Sequence, residues 1–464
     1  MPRSGTLPTV LAGVFITVLD FFIVNVAVPS TQHDLRAGPA AIEWVVAGYA
    51  LAYGSGLILG GRLGDIYGRR RMFSLGIALF TLASIACGLA PTATTLIVAR
   101  VVQGAAAALL SPQVLAIIRT AYAGPERIGA INAYALTMGL AAVFGQLIGG
   151  VLIHADLFGL GWRACFLLNV PVGIAVLAVA RRVIPETRVA DAARLDLPGA
   201  ALVTSALAAA LLPLIEGREQ GWPAWTWASF AASAALFTAL VMRRLPLAPL
   251  IDPALFRQRG FVAGLFTYLA FTMGMAAYFL IFALYVQQGR GLDALEAGLA
   301  FVPIGAGYLV ASLLAPRLAN RLGRQVIAIG GLARALGLAA LLVMVGQEVA
   351  VVRLVPALLV DGIGMGLALG PIMTSALAGV TPRYAGAAAS ALTTAQQVGG
   401  ALGVGAVGIV YYGSVTDGIP TAFRHGLIYL IAVALVLTAL AQLLPRGAGR
   451  NSAPVPPTRE GAPA

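Results

Sequence analysis

Fourteen apolar stretches of about 20 residues follow one another along this chain, and no other feature constrains its fold as strongly. A run of that length crosses the hydrocarbon core of a bilayer. Only a helix or a closed barrel satisfies its own backbone there. Barrel strands alternate apolar and polar residues, whereas these runs are apolar throughout. They fall near residues 8–29, 43–60, 72–90, 95–118, 128–153, 164–180, 197–215, 223–242, 261–286, 297–316, 326–345, 354–372, 385–410 and 425–444. Only 10% of the residues are charged, too few to cover a water-facing surface. The chain reads as an all-α, multi-pass membrane protein with the lipid bilayer as its surroundings.

The arginines choose the orientation. All 30 basic residues are Arg. If both termini are cytoplasmic, 22 of them fall in inside segments and 6 outside, with Arg100 and Arg334 within spans. That bias is the positive-inside signature and places the protein in a cytoplasmic membrane. It also explains the net charge of +12 without nucleic acid as a partner, because the arginines are scattered through short loops. The first run holds Asp20 and Asn25 and reads as a retained span rather than a cleaved leader. Cys87 and Cys165 lie in apolar runs and read as inert packing residues.

An internal repeat divides the chain. Gly61-Arg-Leu-Gly-Asp-Ile-Tyr-Gly-Arg-Arg70 follows the second run, and Pro316-Arg-Leu-Ala-Asn-Arg-Leu-Gly-Arg-Gln325 follows the tenth. Leu63, Gly68 and Arg69 pair with Leu318, Gly323 and Arg324. The repeat implies two six-helix halves, 1–184 and 260–445, around a linker, 185–259, with two extra spans. The charged stretch 181–196, which holds Glu186, reads as a solvated loop. The tail 446–464 reads as disordered and cytoplasmic.

Four blocks carry chemistry. In Gly61–Arg70, Gly61 and Gly68 permit tight turns, and Asp65 can pair with Arg69 or Arg70 to hold one conformation closed. In Leu19-Asp-Phe-Phe-Ile-Val-Asn-Val-Ala-Val-Pro29, Asp20 lies near mid-span. An ionisable group there costs about 2.5–3.5 kcal/mol on insertion scales and is a functional candidate by default. In Leu96-Ile-Val-Ala-Arg-Val-Val-Gln-Gly104, Arg100 and Gln103 are one turn apart and share a face. In Gly139–Gly150, Gly145, Gly149 and Gly150 allow close helix packing around Gln146.

These blocks resemble the major facilitator superfamily, and more narrowly its fourteen-helix drug:proton antiporter family, over about residues 8–444. The resemblance implies two halves rocking about a central site, with small molecules and protons as the transported species. It marks Gly61, Asp65, Gly68, Arg69 and Arg70 as the cytoplasmic gate. Gln146 stands where the family's fifth-helix motif carries proline. Aligning the repeats makes Asp361 the counterpart of Gln103 on a helix that lines the cavity in the resembled fold. Asp20, Asp361 and Arg100 are therefore the expected proton-coupling set. Asn25, Gln103, Tyr268, Phe271, Met275 and Tyr278 are the expected substrate contacts, since an aromatic and methionine face suits greasy ligands. Arg334, on a helix expected to be peripheral, has no role in this reading.

No enzyme constellation is present. His33, His154 and His425 lack metal-ligand spacing, and a phosphate loop cannot be built without lysine. The expected function is proton-coupled export of hydrophobic or cationic drugs, powered by the proton gradient with no cofactor, by a monomer. A dedicated exporter or a proton symporter of one metabolite is the alternative on the same fold. A non-transporting membrane sensor or scaffold is more remote, because no signalling domain is present.

Overall fold

The computed structural model describes residues 4–188, 195–242, 255, 257–345, 350–378, 380 and 385–445, and every regular element among them is a helix. The first half comprises α1 (Thr6–Asp34), α2 (Pro39–Tyr67), α3 (Arg69–Gly88), α4 (Ala93–Ala121), α5 (Gly124–Ala155) and α6 (Gly161–Val183). A hairpin of α7 (Leu197–Glu216) and α8 (Ala224–Met242) follows. The second half comprises α9 (Arg259–Gly289), α10 (Ala294–Leu322), α11 (Gln325–Met344), α12 (Val351–Leu377), α13 (Ala385–Tyr412) and α14 (Ile419–Ala441). The predicted tail 446–464 lies outside the described residues.

Local chemistry sets the boundaries. Pro39 opens α2, where its missing N–H costs nothing. Gly68, at φ +106°, turns the chain between α2 and α3, a conformation that a Cβ disfavours. Thr92 and Thr95 form a reciprocal cap at the start of α4, and Asp293 and Glu296 do the same for α10.

The two halves repeat one packing scheme. In the first, α4 packs on α2 and α3, and α1 on α5. In the second, α12 packs on α10 and α11, and α9 on α13. The halves meet where α2 packs on α13 and α5 on α10. Small residues set these approaches. A methyl at Gly104 would sit 2.3 Å from the Tyr49 carbonyl oxygen, and one at Gly366 would sit 2.4 Å from that of Tyr308, so alanine at either position forces two helices apart. The hairpin packs through α7 against both α2 and α13.

Ten described helices are long and apolar enough to cross a membrane, and twelve if each of two bent pairs, within α2 and α5, is one span. The apolar run of α8, Ala224–Leu240, is shorter, and α13 is rich in glycine and glutamine. The expected fourteen crossings therefore exceed what length and apolarity alone establish.

Buried acids mark structural joints. Glu43 of α2 is 1% exposed and lies 3.6 Å from Arg218, in the α7–α8 turn. Arg218 also donates to the Gly408 carbonyl of α13 and stacks on Tyr412. This arginine thus ties the hairpin to both halves. The sequence singles out neither it nor Glu43, because each falls at a run edge without a motif.

Candidate functional site

Asp20 is the hub of a sealed polar network in the first half. It is hydrogen-bonded and ion-paired to Arg100, and both are fully buried. Gln103 Nε2 donates to Asp20 Oδ1 at 2.9 Å and to Ser84 at 2.8 Å, and Asn169 Nδ2 donates to the same Oδ1 at 2.8 Å. Arg100 also donates to Gln103 Oε1 and to the Val45 carbonyl, with its guanidinium 4.2 Å above the Tyr49 ring. Side chains from α1, α3, α4 and α6 thus converge on one carboxylate, with α2 contributing the flanking ring. A buried ion pair becomes tolerable when further hydrogen bonds satisfy its remaining valences. Here three neutral partners surround the pair, while Arg100 Nη2 and Asn169 Oδ1 have no hydrogen-bond partner among the described residues.

The network stands directly behind the wall of a central cavity. That cavity is about 530 Å³ and is bounded by α1, α2, α4, α5, α9 and α13, with Arg69 at the start of α3. Thr17 and Phe21, on either side of Asp20 along α1, line it. Tyr49 lies between Tyr53 on the cavity wall and Arg100, in ring contact with both. The cavity reaches the face that carries Asp65 and Arg69.

The opposite end is closed by contacts between the halves. His154 Nδ1 meets Asp293 Oδ2 at 3.0 Å, and Gln287 donates to the Val26 carbonyl. Hydrogen bonding from the Glu296 backbone N–H, together with His154 alongside, holds the Asp293 carboxyl below the usual range. Gly145 and Gly149 let α5 approach α1, and Gly150 lets it approach Ala294 of α10. Gln146 is buried in this seam, and both its side-chain polar atoms lack a hydrogen-bond partner among the described residues. An unpaired buried amide costs about 1–3 kcal/mol.

The residues expected to form the gate come together at the cavity mouth. Arg69 Nη2 donates to Asp65 Oδ1 at 3.0 Å, across one helical turn interrupted at Gly68. Glu186, which the sequence leaves in a solvated loop, folds back onto this turn. It accepts from the Arg70 backbone N–H at 3.0 Å and sits 3.6 Å from the Arg70 guanidinium. A methyl at Gly68 would meet its carboxylate at 2.5 Å. The sequence signal is a lone glutamate among arginines, legible only as charge balance. Asp65→Ala is expected to cut turnover by about tenfold or more at near-normal membrane expression, read as initial transport rate per folded protein.

The other sequence-selected residues divide. Met275 lines the cavity. Asn25 is buried and bonds to the Phe22 carbonyl of its own helix, and Gln103 is committed to Asp20. Tyr268, Phe271 and Tyr278 are buried in the second half's core and do not line the cavity. Their face of α9 packs inward on its neighbours, a distinction that composition does not carry.

The repeat alignment expects Asp361 at the cavity, yet neither α11 nor α12 contributes to the wall. Arg334 Nε donates to Asp361 Oδ1 at 3.1 Å across the α11–α12 seam. Gly364 makes room for it, since a methyl there would meet Arg334 Cγ at 2.6 Å. Arg334 thereby has a partner that the sequence does not supply. The cavity wall instead includes Tyr53, Ser111, Gln113, Tyr134, Thr272 and Gln396, polar groups interleaved with Phe21, Phe22 and Met138.

Two helical halves, a cavity between them and a buried acid–arginine pair behind its wall define a secondary transporter. The sequence model of the Major Facilitator Superfamily matches residues 10–404, and the chain belongs to that family. The chain is 37% identical over 420 residues to a probable actinorhodin transporter of Streptomyces coelicolor, covering 89% of this chain and 73% of that protein. It is 36% identical to the puromycin resistance protein pur8 of Streptomyces alboniger, covering 95% and 91%. It is 37% identical to the cephamycin export protein CmcT of Amycolatopsis lactamdurans, covering 93% and 92%. Among solved structures, a peptide transporter POT in complex with sulfate aligns with a TM-score of 0.66 at 18% identity, covering 96% of each chain. A D-xylose-proton symporter aligns at 0.67 and 16% identity, covering 95% and 97%. The two solved structures share the fold.

Proposed function

We propose that this chain is a proton-coupled exporter of hydrophobic small molecules that works by alternating access in the cytoplasmic membrane. The observation that carries the reading is the placement of Asp20. It is a buried, arginine-paired carboxylate one layer behind a cavity that reaches one face while the other is closed. A group so placed can exchange a proton only when its surroundings rearrange, which is what coupling requires. The named exporters and resistance proteins above support outward transport. Asp20 is the coupling carboxylate, Arg100 its counter-ion, and Asp65, Arg69, Arg70 and Glu186 the inner gate. Both termini are cytoplasmic, the proton gradient is the only energy source, no cofactor or catalysis is involved, and the monomer is the working unit. One elementary charge moved across 100 mV is worth about 2.3 kcal/mol, so a one-proton exchange supports substantial accumulation. Single-substrate export is the second reading, favoured by relatives named for one compound each.

The test is an efflux panel in cells lacking their own pumps, followed by uptake of each hit into inverted vesicles. Accumulation that needs an imposed pH gradient and collapses with a protonophore is expected. Gradient-independent accumulation would contradict it.

A further inference from the structure

We infer that the central cavity selects neutral and acidic amphiphiles and excludes cations, an inference that rests on the transport reading above and narrows its substrate class. A cation-binding cavity needs a carboxylate or an open aromatic cage facing the ligand. This cavity presents three arginines, Arg62, Arg69 and Arg119, against one carboxylate, Asp65. Asp65 is already engaged by Arg69. Arg62 and Arg119 have no ion-pair partner among the described residues, so the mouth keeps two uncompensated positive charges.

The acids deeper in the protein do not reverse this. Asp20 is neutralised by Arg100 and closed off from the cavity. Asp361 is neutralised by Arg334 in a seam that does not reach the wall. The wall itself offers donors and acceptors, with Tyr53, Ser111, Gln113 and Gln396 set among Phe21 and Met275, and its rings pack on neighbours rather than opening as a cage: Phe21 meets Phe22 edge to face at 5.1 Å, Phe22 meets Phe279 and Tyr53 meets Tyr49. Such a lining suits a flat apolar body carrying several oxygens. A cleft with low-dielectric walls focuses the field of its charges, so arginines at the mouth act on whatever sits inside. The arginines also satisfy the positive-inside bias, but that bias does not require the wall to lack a free carboxylate.

The experiment reads the cavity without needing the natural substrate. An Ala116→Cys variant of the full chain places a thiol on the wall from a small, half-buried position, while the native Cys87 and Cys165 are fully buried. Purified protein at fixed pH is reacted with the anionic sulfonatoethyl and the cationic trimethylammonioethyl methanethiosulfonates. Rates are normalised to a free thiol, and the protein without the introduced thiol serves as background. The anionic reagent is expected to react about tenfold faster or more, and adding Arg62→Gln with Arg119→Gln should remove most of that preference. Two xanthene dyes are then used to block labelling by the neutral N-ethylmaleimide. Fluorescein, an anion, is expected to protect at lower concentration than rhodamine 123, a cation. Equal or faster reaction of the cationic reagent overturns the inference, as does failure of both reagents to react. Protection by rhodamine 123 at equal or lower concentration, or by neither dye, also overturns it. None of these readouts involves a gradient, so their failure is distinguishable from failure of proton coupling.

Discussion

Asp20→Asn is expected to abolish gradient-driven accumulation while leaving substrate binding and passive exchange in place. Asparagine preserves the shape of the side chain and can still accept from Gln103 and Asn169, but it cannot titrate. The substitution also strips Arg100 of its counter-ion. Breaking a buried pair on one side costs about 3–5 kcal/mol, so lost transport alone would be ambiguous. A second variant removes the ambiguity. Asp20→Asn combined with Arg100→Gln leaves no uncompensated charge and should recover much of the thermal stability in detergent. It should not recover uphill transport. Initial uptake into inverted vesicles with and without a pH gradient, scaled to folded protein, separates the two effects. A double variant that is both stable and fully gradient-driven would remove Asp20 from the coupling role.

The second large effect is expected at the Arg334–Asp361 pair. Arg334→Leu leaves Asp361 buried without its counter-ion, and Asp361→Leu leaves Arg334 buried without its own. Each single variant should lose about 3–5 kcal/mol, seen as a fall in Tm and in folded yield. Replacing both with leucine removes both charges and is expected to be close to neutral, as apolar replacement of whole buried pairs often is. The pair faces a seam within one half and not the cavity, so the stable double variant should keep gradient-driven uptake within about tenfold of wild type. A stable double variant with no uphill transport would make Asp361 a second proton carrier. The thermodynamic cycle over the four proteins, paired with uptake by each, checks both parts.

Asp20 and Asp361 are both visible in the sequence, because an acid within an apolar run has a known insertion cost. What each acid faces is not visible, since that depends on helix rotation, and α4 and α12 are apolar on nearly every side. Rotation is fixed by close approaches at Gly104, Gly337, Gly364 and Gly366, which a single sequence shows only as glycines. The charged turn at Gly61–Arg70 is legible, because turn glycines and a charge cluster between two apolar runs leave few alternatives. Its partner Glu186 is not, because it lies 116 residues from Arg70 and arrives only when α6 packs on α3. The aromatic face of α9 looks like a binding surface in sequence, yet Tyr268, Phe271 and Tyr278 are packed inside. Large apolar side chains serve packing and binding equally well, and composition does not separate the two uses.

The central claim is that proton binding at Asp20 is linked to substrate binding in the cavity, and the most direct measurement counts protons. Purified protein in weakly buffered detergent solution, with a pH dye present, is given a substrate identified by the efflux panel. The account predicts a change in bound protons on substrate addition in the wild-type protein, saturating with substrate occupancy and absent from the stable Asp20→Asn, Arg100→Gln variant. An undiminished change in bound protons in that variant, at the same substrate occupancy, would contradict it.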